Sequence, residues 1–452
     1  MGVRPYVDIV RLVWPLALGM VNNAVMQFVD RAYLANESMA SLEAALPASI
    51  LAFNVLGFFQ SVVAYSGTFV AQYHGAGNGR MCRECLRVGT ALSLAFGAAA
   101  VLFVPAGTWL LESLAAPPDV LSREVSYYGI VTAGGVFLFL HMAVSSYFTG
   151  RGRTRLVFWV NVLGNLLNAV LDPLLIFGLL GFPRLGMAGA AYATVASMAV
   201  QWGALTWFAA RERTSGQDAP GAAAKAGAAR LTFWPLAAKI LRYGVPSGAY
   251  TVLNVLSFTI FVFVTGRAGD VAFAVSNACF SVNYMLFAPM EGFAVGAATL
   301  VGQDQGRGDG AAAHGNAMRV LLLGLAFVSV MSVLAVAFHR PILALFAPDA
   351  AVRQEFYSLG FRLFVLMAAW QVFDAADVML SGALKGAGDT KFVMWWMVCA
   401  AFGLWLPLVW AVARWHNTMT ALWGTMVVYV VVICIGTAAR WFKGRWKEIK
   451  LV

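Results

Sequence analysis

Long apolar runs, broken by short stretches bearing glycine and arginine, recur twelve times along the chain. They fall at about 10–30, 45–73, 88–109, 125–148, 156–180, 187–209, 240–266, 271–302, 317–338, 356–382, 392–413 and 418–440. Each is long enough to cross a bilayer as an α-helix, for which roughly 20 apolar residues suffice. The polar positions inside these runs are patterned. In the fifth run Asn161, Asn165, Asn168 and Asp172 are spaced 4, 3 and 4 apart, so a helix gathers them into one stripe with Leu and Val elsewhere. The stripe ends in a carboxylate within hydrocarbon. An acid there costs about 2.5–3.5 kcal/mol on insertion scales, so it is expected to face a cavity or a partner. The first run carries a second stripe, Asn23, Gln27 and Asp30.

Between the sixth and seventh runs, residues 211–235 are rich in Ser, Gly, Ala, Pro and charge. This reads as a linker between an N-terminal six-helix bundle, 1–210, and a C-terminal one, 236–452. The halves repeat. Val70-Ala-Gln72 through Gly79 echoes Val301-Gly-Gln303 through Gly310 at an offset of 231, and Pro15 maps to Pro246, Asn23 to Asn254. Gly150-Arg-Gly152-Arg-Thr154 echoes Gly386-Ala-Gly388-Asp-Thr390 at 236. Six spans per repeat is an even number, so the repeats are expected to be parallel, related by a pseudo-two-fold axis along the membrane normal. The predicted fold is an all-α polytopic membrane protein of twelve transmembrane helices, the architecture of an alternating-access transporter.

Charge then orients the chain. With the N-terminus inside, 23 of the 31 Lys and Arg fall in inner segments and 8 in outer ones, which places both termini and the linker in the cytoplasm of a cell inner-membrane protein. Asp30, Asn168, Asp172 and Thr194 then lie at similar depth in the outer half of the first bundle. Two carboxylates with amide and hydroxyl oxygens suit Na⁺ or a shared H⁺, because hard cations take oxygen ligands. Pro15 interrupts the backbone ladder of the helix that carries Asp30 and is the expected hinge. In the second half, Gln371, Asp374 and Asp377 recur every three residues, Asp377 maps at 236 to His141, and Glu291 follows Pro289. These are candidates to face a charged substrate or to pair within the membrane.

Composition agrees and excludes other classes. The 452 residues are 61% hydrophobic and 12% charged, against roughly 25% charged in soluble domains, and mean hydropathy is +0.75. The net charge of +10 is accounted for by basic inner loops, without a nucleic-acid partner. Five cysteines imply no disulfide framework, and Cys82-Arg-Glu-Cys85 lacks the second ligand pair a zinc site needs. No G-x-S-x-G, P-loop or H-E-x-x-H occurs, so neither an enzyme nor a cofactor is expected.

Taken together, the chain resembles the MATE family of multidrug and toxic compound extrusion transporters. The resemblance rests on Pro15 with Phe28-Val-Asp30, Val70-Ala-Gln72 with Gly75-Ala-Gly77, and Asn168-Ala-Val-Leu-Asp172-Pro with Gly189-Ala-Ala-Tyr-Ala-Thr194. Gln371-Val-Phe-Asp374 and Gly382 through Thr390 complete it. It implies a monomer in the lipid bilayer that exports small amphiphilic, mostly cationic substrates against inward H⁺ or Na⁺. It also implies a cation site at Asp30, Asn168, Asp172 and Thr194, and a role for Asp374 in the second bundle. One departure is Asn254, where some branches carry glutamate; this shifts the expected coupling site to the first bundle. A flippase for a lipid-linked saccharide is the alternative on the same fold, since fold does not fix cargo.

Overall fold

The computed structural model describes residues 4–113, 116–214, 233–346, 353–416 and 418–452. Most of the expected linker, 215–232, lies outside them. Every regular element among the described residues is helical. In chain order the long helices are α1 (Tyr6–Glu37), α2 (Met39–Gly75), α3 (Gly79–Ser113), α4 (the bent pair Pro118–Ala133 and Gly135–Gly150), α5 (Thr154–Phe177) and α6 (Met187–Thr214). There follow α7 (Phe233–Thr265), α8 (Asp270–Gly306), α9 (Gly310–Ala337), α10 (Arg353–Ala387), α11 (Thr390–Trp415) and α12 (Met419–Phe442). Ten of these cross a membrane by length and composition, and the α4 pair, bent by 40°, makes eleven. The 28-residue α6 holds the twelfth place. All twelve coincide with the apolar runs, so hydropathy located each span to within several residues.

The repeat is visible in the backbone. Gly77 and Gly308, 231 apart, both adopt positive φ, at 72° and 77°. After them Asn78 and Asp309 each close the preceding helix, their N–H groups donating to Tyr73 and Asp304 carbonyls at 2.8 and 3.0 Å. Each then caps the next helix, its side chain accepting from Met81 N–H at 3.1 Å or Ala312 N–H at 2.8 Å. Gly152 and Gly388 repeat the left-handed turn at the offset of 236.

Two compact units result. The first is Val21–Gly248 with Gly306–Gly308; the second takes Ala249–Gln305, Asp309–Leu451 and the chain up to Met20. Relative to the halves read from sequence, the start of α1 packs with the second unit and the start of α7 with the first. The cause is close backbone contact. A Cβ on Gly292 would come 2.4 Å from the Ala17 backbone, so α1 lies directly on α8. The equivalent residue of α7, Gly248, lies on α2, where a Cβ would come 2.8 Å from the Phe58 carbonyl oxygen. Arg4 fastens the first contact, donating to Gln303 Oε1 at 2.9 Å, and its N–H to Asn316 Oδ1 at 2.9 Å.

Each unit also clamps its 4–5 type loop to its last helix, with the charges exchanged. In the first, Arg151 and Arg153 pair with Glu212 near the end of α6. In the second, Asp389 accepts from Arg440 in the last turn of α12 at 2.7 Å.

Candidate functional site

α5 turns its polar stripe inward. Asn168 and Asp172 are 5% and 0% exposed, while Leu163, Leu166 and Val170 are 65%, 59% and 58% exposed. This inversion of the soluble pattern needs lipid around the helix. Each stripe residue meets a different neighbour in the first unit. Asn161 meets buried His141 of α4 at 3.0 Å. Asn165 donates to Asn23 of α1 at 3.0 Å and accepts from Gln201 of α6 at 3.4 Å. Asn168 donates to Asp172 Oδ1 at 3.2 Å.

At the end of this ladder, Asp172 and Asp30 of α1 are close electrostatic neighbours. Asp30 Oδ1 and Asp172 Oδ2 are both buried and accept from no donor. Two acids held close together repel one another when both are charged, and a shared positive charge would relieve that repulsion. Arg31 is a charged neighbour of Asp30, and Tyr127 of α4, beside Ser49, lies in electrostatic range of both acids.

The structure thus joins three of the four expected coupling residues. Thr194 stands on α6 with its hydroxyl donating to the Ala190 carbonyl at 2.9 Å, and makes no hydrogen bond to the acids. Tyr127 and Ser49 were not legible beforehand; a tyrosine in an apolar helix gives no signal of what it faces.

The second unit gathers a different set. Buried Gln371 donates to Asn283 Oδ1 at 2.9 Å and accepts from Ser332 Oγ at 3.0 Å, tying α10 to α8 and α9. Buried Asp377 accepts from Thr437 of α12 at 2.5 Å. Half-buried Asp374 has Asp377 and Glu291 as charged neighbours. Tyr250 of α7 is the common neighbour of Asp374, Asp377, Glu291 and Tyr429. Lys385 lies 3.6 Å above the Tyr250 ring centroid. Asn254 is half-buried, its backbone carbonyl accepting from Ser257 Oγ at 2.8 Å. His141, the counterpart of Asp377, belongs to the first unit's ladder. The tenth apolar run ends at 382, which leaves Lys385 beyond it. α10 continues to Ala387, and Gly388, at φ 100°, marks its true end.

Cys82 and Cys85 are buried thiols, Cys82 reaching the Val70 carbonyl at 3.5 Å.

Comparison with known proteins decides the family. The MatE family profile matches twice, at residues 15–174 and 246–411, with starts 231 residues apart at Pro15 and Pro246. The chain belongs to the MatE family. This MatE chain is 26% identical over 416 residues to the probable multidrug resistance protein NorM of Bradyrhizobium diazoefficiens, covering 90% of this chain and 86% of the relative. It is 28% identical to the multidrug resistance protein NorM of Burkholderia vietnamiensis, covering 89% and 85%. Its fold matches a multidrug resistance MATE family transporter in an outward-facing conformation, with TM-score 0.84, 19% identity, and 98% and 96% of the two chains covered. It equally matches a MOP superfamily transporter from Pyrococcus furiosus described as having a binding pocket of reverse polarity, with TM-score 0.85, 18% identity, and 99% and 97% covered. The MatE family is a transporter family, and the twelve helices here are its fold.

Proposed function

We propose that this chain is a secondary active multidrug efflux transporter that exchanges amphiphilic, mostly cationic compounds for inward H⁺ or Na⁺ by alternating access. The observation that carries this reading is the Asp30–Asp172 pair with its two unmatched buried oxygens. Asn168 holds Asp172 in place, Thr194 offers a further oxygen from α6, and Pro15 is the hinge of α1. Asp374, Asp377, Glu291 and Gln371 take part in cargo recognition in the second unit, and His141 and Asn254 line the two units' polar interiors. The NorM relatives' names support export of drugs. Expression in a host stripped of its own pumps is expected to raise tolerance to ethidium. Uptake into proteoliposomes with Na⁺ and pH gradients imposed separately identifies the coupling ion. No tolerance across a broad cation panel, with the protein folded in the membrane, sinks the reading.

The flippase alternative draws on one observation, Lys385 beside Tyr250, since a phosphate-bearing lipid needs a basic cavity. Glu291 and Asp377, the charged neighbours of that lysine, favour cationic cargo instead.

The protein works as a monomer in the inner membrane with both termini in the cytoplasm. On a cysteine-free background, Asp119→Cys is expected to react with an impermeant maleimide in intact cells while Asp218→Cys stays protected. Labelling of position 218 from outside reverses the orientation.

A further inference from the structure

The second unit holds a cation of its own. The Lys385 ammonium lies on the face of Tyr250, with Glu291 and Asp377 as its charged neighbours. An aromatic face joined by carboxylates is the chemistry that recognises ammonium groups. The cradle is built by close packing: a Cβ on Gly386, next to Lys385, would come 2.4 Å from the Ala298 carbonyl oxygen, so α10 lies against α8, the helix that bears Glu291.

We propose that Tyr250, Glu291 and Asp377 form the seat for the charged group of a cationic cargo, and that Lys385 is a specificity-determining residue that fills this seat until cargo displaces it. The proposal rests on the cationic-efflux reading and adds to it a competitor carried on the chain. A tethered group competes at an effective concentration in the millimolar range, independent of the medium. Small hydrated ions such as Na⁺ gain little from an aromatic face and do not displace the lysine. Delocalised aromatic cations stack on Tyr250 and bring apolar area to bury, so they do. The same occupancy leaves the Asp30–Asp172 pair as the place where a coupling ion binds unopposed.

The test uses the full chain in nanodiscs of neutral lipid, with ethidium binding followed by fluorescence anisotropy against empty discs. Lys385→Met is expected to tighten ethidium binding about tenfold, ~1.4 kcal/mol. Lys385→Arg, which keeps a cation on the tether, is expected to stay close to wild type. Tyr250→Leu is expected to weaken binding about tenfold, and Tyr250→Phe to retain it. Unchanged or weaker binding by a Lys385→Met protein that unfolds at the wild-type temperature overturns the proposal. If that variant does not fold, equal binding by Tyr250→Leu and Tyr250→Phe overturns it. A wild type that exports ethidium while Lys385→Met binds it no better overturns this proposal and leaves the efflux reading standing. A wild type that neither binds nor exports cations removes the efflux reading itself.

Discussion

Asp172→Asn is expected to abolish gradient-driven efflux in a protein that still folds. The amide keeps the shape of the side chain, and its carbonyl oxygen can still accept from Asn168, so the buried hydrogen bond of 3.2 Å survives. What disappears is the charge opposite Asp30. Without a second carboxylate there is no repulsion for a proton or Na⁺ to relieve, and loading the site no longer changes the energy of the α1–α5 contact. An ion can only shift a conformational equilibrium by its difference in affinity for the two states, so the variant has no driving force to transmit. Asp30→Asn is expected to behave alike. Asp374→Asn is expected to impair transport less, or to change which cargo is accepted. Proteoliposome exchange with an imposed gradient measures all three; normal pumping by Asp172→Asn with a dead Asp374→Asn moves the coupling site to the second unit.

The second large effect concerns Gly292. Valine there places a Cβ 2.4 Å from the backbone of Ala17, and backbone cannot swing aside as a side-chain tip can. α1 must leave its seat on α8, at a cost of about 3 kcal/mol, the upper part of the usual range for overpacking. Transport is expected to fail as well, because the displaced helix carries Asp30. Gly203→Val is the control, since a Cβ at that position meets nothing within 4 Å. Reversible unfolding in mixed micelles compares the two. Equal stability of both variants shows that α1 is not held by this contact.

The spans, the α5 stripe and the repeat were legible because each is a local periodicity, set by hydrocarbon outside and polar neighbours inside. Asp30 and Asp172 were paired from depth alone, and the fold brings them together. Residue pairs fixed by backbone approach left no such trace. Nothing in the spacing of α1 announces that Ala17 lies on Gly292, so the assignment of the chain before Val21 to the second unit was hidden. Lys385 was hidden for another reason. The glycines at 382, 386 and 388 look alike in sequence, but only Gly388 takes the left-handed turn that ends α10. Tyr127 and Tyr250 acquire meaning only from residues distant in sequence, Asp30 and Asp377 respectively.

The exchanged charges of the two loop clamps bear on how the chain is made. Arg153 meets Glu212, whereas Asp389 meets Arg440. A nascent chain exposes two similar loops and two similar final helices, and each loop has a wrong helix to choose. The wrong pairings set arginine against arginine and aspartate against glutamate. Loop and final helix of each unit are thereby matched by charge to one another and mismatched to their counterparts in the other unit.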